Sequence, residues 1–141
     1  MKLIIHGAAG RMGRALVRAL ENNGDFQLLY AVDPVLPVRA LSQCRQKADC
    51  VIDFSHHSAT KALLDYCLRT KTPVVVCTLR DTQTVFPNAL KLKPSRISVS
   101  LLGVIRPEEY EGLTAVELSD RVHKMMADDL GPDLVLSQEN T

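Results

Sequence analysis

Gly7-Ala8-Ala9-Gly10-Arg11-Met12-Gly13 sets three glycines at three-residue intervals between a short apolar run, Leu3 to Ile5, and an amphipathic stretch. A glycine turn between strand and helix suits a phosphorylated ligand. The backbone can turn tightly and approach closely there, while free amides and the positive end of the helix face the anion. The spacing G-x-x-G-x-x-G is a variant of the familiar G-x-G-x-x-G. Asp33 ends the next apolar run, twenty residues past Gly13, where a carboxylate can accept hydrogen bonds from ribose hydroxyls. Turn and carboxylate together predict binding of a dinucleotide, NAD or NADP. Pro34 occupies the position where an Arg typically reads a ribose 2′-phosphate, which favours NAD, although Arg39 is close enough in sequence to weaken that inference. The competing reading is a tight structural turn with an unrelated strand-end Asp.

Asp53-Phe54-Ser55-His56-His57 closes a third apolar run, at the edge where ligands of open α/β sheets bind. Two adjacent histidines without Cys or carboxylate partners at ligand spacing do not make a metal site, so their expected role is loop and helix-start chemistry. His56 and Lys61 have the spacing of an H-x-x-x-x-D acyl-transfer dyad, but a Lys cannot orient a His as a carboxylate does. Cys44, Cys50, Cys67 and Cys77 show no C-x-x-C pairing and no His at zinc-finger spacing, and are expected to be small buried apolar residues in a reducing compartment. No catalytic residue and no metal ligand is predicted.

The elements that must position these residues alternate in the first half. Met12, Ala15, Leu16, Ala19 and Leu20 share a helical face opposite Arg11, Arg14, Arg18 and Glu21, and Asn22-Asn23-Gly24 ends that helix. Strands are expected at Phe26 to Val32, Cys50 to Phe54 and Pro73 to Cys77. A weakly helical piece is expected around Arg39 to Lys47, and a helix capped by Ser55 or Ser58 with an apolar stripe of Ala59, Ala62, Leu63, Tyr66 and Cys67. Strands separated by helices of this length imply βαβ units and right-handed crossovers. The fold class is α/β, a doubly wound, Rossmann-like, mostly parallel sheet in a single compact domain.

The second half differs. Arg80 to Pro94 is irregular, with Lys91, Lys93 and Arg96 making it locally basic, and Ile97, Val99 and Leu101 then alternate with serines as in a strand with one polar, solvated face. Thr114 and Glu117 form a capping box opening a helix whose Ala115, Leu118, Val122 and Met125 share a face, and the tail after Gly131 is polar and expected to fray. The expected division is residues 1–79 as the dinucleotide-binding half and 80–141 as a strand and helix that complete the same sheet. With 141 residues, 46% hydrophobic, 23% charged and a net charge of +1, disordered, collagen-like and disulfide-scaffold classes are excluded, and no global field attracts nucleic acid. No apolar run spans a bilayer or makes a signal-peptide core, which predicts a cytoplasmic protein.

Residues 1 to about 76 resemble the N-terminal cofactor domain of 4-hydroxy-tetrahydrodipicolinate reductase, the dihydrodipicolinate reductase of lysine biosynthesis. The resemblance is carried by HGAAGRMGRAL at the turn, AVD at the second strand, VIDFSHHSAT at the third and LLDYCLRTKTPVVV before the fourth. It implies an NAD(P)H pyrophosphate at Gly7, Ala8, Ala9, Gly10, Arg11 and Met12, the adenosine ribose at Asp33, and cofactor contact at Phe54 and Ser55. The family's G/C-T-T-G loop is kept only in its first two positions, Cys77 and Thr78, which the resemblance places on the nicotinamide side. The family's catalytic His-His pair with a downstream Lys, and its P-S-G-T loop, have no counterpart; His56, His57 and Lys61 lie in the third-strand motif instead.

Residues from about 72 to 126 are similar to the C-terminal part of 1-acylglycerol-3-phosphate acyltransferases, with a P-V-V-V strand, a G-V-I-x-P-E-E turn and an E-G-L-T-A-x-E-L helix. The N-H-x-x-x-x-D dyad and F-P-E-G-T-R segment of that family are absent, Phe86-Pro87-Asn88 matching in two letters. The leading expectation is an NAD(P)-binding domain of reductase type, with turnover absent or very low for want of the catalytic segment. An acyltransferase-like protein and a structural chimera without ligand are the alternatives. The chimera would be a natural gene rearrangement or a recombination of fragments. A homo-oligomer is compatible with each.

Overall fold

The computed structural model describes residues 1–21, 23–80 and 97–131. The basic positions Lys91, Lys93 and Arg96, the Phe86-Pro87-Asn88 segment, Asn22 and the tail after Gly131 lie outside the described residues. The chain divides into two compact units, Met1–Pro73 with Arg106–Ser119, and Val74–Ile105 with Asp120–Thr141.

In the first unit β1 (Lys2–His6), β2 (Gln27–Val32) and β3 (Cys50–Asp53) form a parallel sheet in the order β2-β1-β3. The chain steps from β1 to one side through α1 (Arg11–Glu21) and then returns to β1's other side with β3. This reversal makes the region beyond the carboxyl ends of β1 and β3 the crevice position at which open α/β sheets bind their ligands. Leu3, Ile4, Ile5 and Val32 are buried in this sheet. The Arg39 to Lys47 segment contains only a single 3₁₀ turn, Leu41–Gln43. Tyr66 fixes the stretch that follows, its hydroxyl accepting from Ala48 N (3.2 Å) and donating to Gln46 O (3.3 Å).

α2 (Thr60–Thr70) buries Leu64, Tyr66 and Cys67, while Ala62 of the expected stripe is exposed. Neither Ser55 nor Ser58 caps it. A 3₁₀ turn, His57–Ala59, precedes the helix, and His56 Nδ1 accepts from Ser58 N at 3.3 Å to cap that turn. The helix ends at Lys71, which takes the left-handed conformation (φ 52°) in place of the usual glycine. On α1 the expected face is also shifted: Met12, Ala15 and Ala19 are exposed, and Leu16, Val17 and Leu20 are the half-buried residues.

Residues 106–119, from the second half of the chain, belong to this first unit. Tyr110 is buried, and its hydroxyl lies 3.2 Å from Cys67 O, in the last turn of α2, and 3.0 Å from Thr72 O, just past its end. Thr114 and Glu117 form the expected capping box, Thr114 N donating to Glu117 Oε2 (2.8 Å) and Glu117 N to Thr114 Oγ1 (3.3 Å). It opens α3 (Ala115–Leu130), whose first turns bury Ala115 and Leu118.

The second unit corrects the expectation that residues 80–141 complete the first sheet. β4 (Val74–Arg80) pairs antiparallel with β5 (Ser98–Ile105) in a separate two-stranded sheet. An unbroken Val-Val-Val run carries no phase information, so it reads as a strand buried on both faces; in the structure its faces differ. On one face Val76 pairs with Gly103 and Thr78 with Ser100, and this face meets α3. A Cβ on Gly103 would lie 3.3 Å from Met125 Cε, Thr78 Oγ1 donates to Asp129 Oδ2 at 2.5 Å, and Arg80 reaches the same carboxylate at 2.9 Å. The Thr78 hydroxyl, and then Arg80, hold the Asp129 carboxyl below its ordinary value. On the other face Val75 pairs with Val104, Cys77 with Leu101 and Leu79 with Val99, and all six are exposed. The serines of β5 were expected on its solvated face. The covered face is the polar one, because α3 presents a carboxylate to it.

Two predictions follow from burial. Tyr110→Phe should lower unfolding free energy by about 1 to 2 kcal/mol in chemical denaturation, since it removes a buried hydroxyl donor shared between Thr72 O and Cys67 O, of which Cys67 O keeps Thr72 N at 3.0 Å. Burial pushes the Cys67 thiol up to about 12, whereas Cys77 is exposed; a colorimetric thiol reagent should label Cys77 in the native protein and Cys67 only on unfolding.

Candidate functional site

The carboxyl ends of β1 and β3 are held together by the backbone. His6 O accepts from Phe54 N at 3.0 Å, and His6 pairs with Asp53 across the ladder. Gly7 follows immediately, at φ +76°, and its missing side chain is a requirement of that contact: a Cβ would lie 2.5 Å from Phe54 O and 2.7 Å from Ser55 N. Gly13 plays the equivalent part for the helix, since its Cβ would lie 2.2 Å from Gly7 O and 2.6 Å from Ala8 Cα. Gly10 differs from both. It is exposed, and a Cβ there would meet only Gly7 O at 3.2 Å, so its open side faces away from the protein. Two of the glycines therefore serve folding, and the third leaves backbone accessible from outside.

The turn's amides are disposed unevenly. Gly7 N and Ala8 N both donate to Val32 O (2.9 and 3.1 Å), and Ala9 N donates to Asp33 Oδ2 at 3.2 Å. Asp33 Oδ1 accepts from Val35 N at 3.2 Å. The Asp singled out at the end of β2 is thus joined to the glycine turn directly, with the outer lone pairs of both oxygens left for further donors. The first bond of α1 runs from Arg14 N to Gly10 O (2.9 Å), so the amides of Met12 and Gly13 lie ahead of it, at the positive end of the helix. The first turn of α1 carries Arg11 and Arg14 and no acidic residue. Cations at a helix N-terminus are electrostatically unfavourable by themselves and suit a site meant for an anion.

Gly7, Ala8, Ala9, Gly10, Arg11, Met12, Asp33, Phe54 and Ser55 are gathered in the first unit, around the crevice at β1 and β3. Cys77 and Thr78 belong to the other unit. They lie on β4 of the second unit, on opposite faces: Cys77 exposed, and Thr78 buried with its hydroxyl given to Asp129. His56 and His57 stack on each other with centroids 3.8 Å apart, and His56 Nδ1 serves the turn, as expected of helix-start residues. Among the described residues no group of His, Cys, Asp and Glu could hold a metal ion.

Sequence reasoning passed over His6. It is buried, and its Nδ1 lies 2.8 Å from Asp53 Oδ1. Asp53 Oδ1 also accepts from Ser55 N at 3.1 Å. Burial works to raise the Asp53 carboxyl, but the His6 contact and the Ser55 bonds outweigh it and hold the group below its ordinary 3.8. A polar residue ending an apolar strand was the available signal.

Gly7→Ala should destabilise the fold by about 2 kcal/mol or more in urea denaturation, and Gly10→Ala by less than about 1 kcal/mol, because only the first forces backbone against backbone. The lowered Asp53 carboxyl contributes stability that is fully present above pH 3.8 and is lost as the pH falls through its folded value. Asp53→Asn should therefore be less stable at neutral pH and show a shallower loss of Tm on acidification than the parent.

A family model described as dihydrodipicolinate reductase, N-terminus, matches residues 1–84. The 4-hydroxy-tetrahydrodipicolinate reductase of Caldanaerobacter subterraneus subsp. tengcongensis is 37% identical over 84 residues, 55% of this chain and 34% of that protein. The same-named protein of Helicobacter hepaticus is 28% identical over 134 residues, 85% of this chain and 52% of its own length. That of Clostridium perfringens is 24% identical over 155 residues, 91% and 58%. The two longer alignments necessarily run past residue 84. The chain spans between about a third and somewhat over half of these curated relatives. No solved structure matches significantly. The glycine turn, the strand-end carboxylate and the Asp53-Phe54-Ser55 wall all fall within the matched residues, and the chain belongs to the dihydrodipicolinate reductase N-terminal domain family.

Proposed function

We propose that this chain binds a nicotinamide dinucleotide at the crevice beyond β1 and β3. The observation that carries the reading is the bond from Ala9 N to Asp33 Oδ2, which brings the two halves of the sequence motif, phosphate turn and ribose carboxylate, to one place. The pyrophosphate would lie over exposed Gly10, with the amides of Met12 and Gly13 and the positive end of α1 towards it. Arg11 and Arg14 add positive potential there. Asp33 would accept the ribose hydroxyls, and the Phe54-Ser55 backbone would form the wall of the crevice. When bound, such a cofactor supplies a hydride for transfer to an electron-poor acceptor.

Asp33 also bears on the choice of dinucleotide. A ribose 2′-phosphate would meet its carboxylate, Pro34 offers no cation, and Arg39 is exposed with its amide donating to Gln43 Oε1 at 2.7 Å. NAD(H) is the preferred partner on this reading. Reduction of the dihydropyridine dicarboxylate substrate by this sequence alone would be absent or very slow, because its His56, His57 and Lys61 lie in the third-strand motif and no P-S-G-T loop is present in it. A role in lysine biosynthesis and a cytoplasmic location are part of the same proposal. No helix among the described residues is long and apolar enough to cross a membrane.

Isothermal titration with NADH and NADPH tests the reading. Binding of NADH in the range of about 1 μM to 1 mM is expected, with Gly10→Asp abolishing it by putting a side chain and a negative charge where the pyrophosphate must approach. Asp33→Ala should weaken NADH more than NADPH. No heat from either nucleotide, with Gly10→Asp behaving identically, would leave a fold without this ligand.

A further inference from the structure

We infer that His6 is a positioning residue for the dinucleotide turn, acting through Asp53 on the Phe54-Ser55 wall; the inference rests on the dinucleotide-binding reading above. Asp53 Oδ1 lies between two donors, His6 Nδ1 at 2.8 Å from β1 and Ser55 N at 3.1 Å from the wall. Ser55 N is in turn one of the three atoms nearest the position a Gly7 Cβ would take. One carboxylate oxygen therefore links the end of β1 to the piece of backbone against which the turn is seated. An ionised carboxylate can only accept, so the proton shared with it resides on Nδ1. This buried nitrogen makes no well-aligned hydrogen bond among the described residues, and the Asp53 carboxylate at 2.8 Å is the charged group it faces.

Without the imidazole, the Asp53 carboxylate would lose its inward partner. Its side chain is 27% exposed, against 9% for that of His6, so it can turn towards water and release Ser55 N. The wall would keep the Phe54 N to His6 O bond but lose its tie through Asp53, and binding would have to order the turn as well as occupy it. The geometry of the donor matters more than its polarity. An Asn side chain can place an amide nitrogen near the position of Nδ1, whereas the longer Gln places its amide near Nε2, away from Asp53.

The test compares NADH affinity for the parent, His6→Asn and His6→Gln by isothermal titration, with thermal unfolding run alongside so that each titration is made well below Tm. His6→Gln is expected to bind about tenfold more weakly, the size of one charge-assisted hydrogen bond, and His6→Asn within about threefold of the parent. Amide hydrogen exchange at Ser55 should quicken in His6→Gln and stay slow in His6→Asn. A purely structural role would lower Tm in the variants while leaving their affinities equal to the parent's. Equal affinity of parent and His6→Gln, or equal weakening by Asn and Gln, overturns the inference and leaves the binding reading intact. Absence of NADH binding in the parent itself overturns both.

Discussion

The first unit depends on close backbone approaches that a residue with a side chain could not make. Gly7 turns at positive φ against the Phe54-Ser55 backbone, at a distance no Cβ could share, and Gly13 repeats the arrangement against Gly7 and Ala8. These two contacts let α1 begin directly at the end of β1 and bring the end of β3 beside the same turn. The bonds from Gly7 N and Ala8 N to Val32 O add the end of β2. Three strand ends are thereby drawn to one point, and the polar residues that end them, His6, Asp33 and Asp53, become neighbours of the turn because of it.

Electrostatics in that region follow from the same arrangement. The helix starts with basic residues, where the field of aligned peptides already favours negative charge. Two carboxylates flank the turn, each already accepting from the frame: Asp33 from the amides of Ala9 and Val35, and Asp53 from Ser55 N with His6 beside it. Their charge is spread into the frame, and the side of the turn at Gly10 is left to the helix end and its arginines. An arrangement that neutralises its own acids and leaves an excess of donors facing outward suits a polyanion with hydroxyl groups, and it gives the family membership a physical basis in this chain.

Legibility in the sequence followed the range of the interaction. The glycine turn, its helix and Asp33 were readable because a turn followed by a helix is a local pattern and the carboxylate ends the adjacent strand. The Thr114 and Glu117 capping box was readable for the same reason. His6 was not, because its meaning comes from Asp53, 47 residues later, and from register rather than spacing. The strand at β4 was readable but its antiparallel pairing with β5 was not, because Val74, Val75 and Val76 are chemically alike and give no phase. The orientation of β5 depended on Asp129 in α3, which attracts Thr78 and Arg80 and makes the polar side of the sheet the covered one.

The first unit is discontinuous in sequence: Met1–Pro73 is completed by Arg106–Ser119, with β4 and β5 inserted between them. During synthesis the three parallel strands and both of their helices leave the ribosome before Tyr110 exists to donate to the Cys67 and Thr72 carbonyls. Until then Thr72 O lacks the Tyr110 hydroxyl, while Cys67 O already accepts from Thr72 N. Closure of a loop of this length costs chain entropy only slowly with length but does cost time, which makes the Arg106–Ser119 segment the late step in assembling the domain that carries the glycine turn.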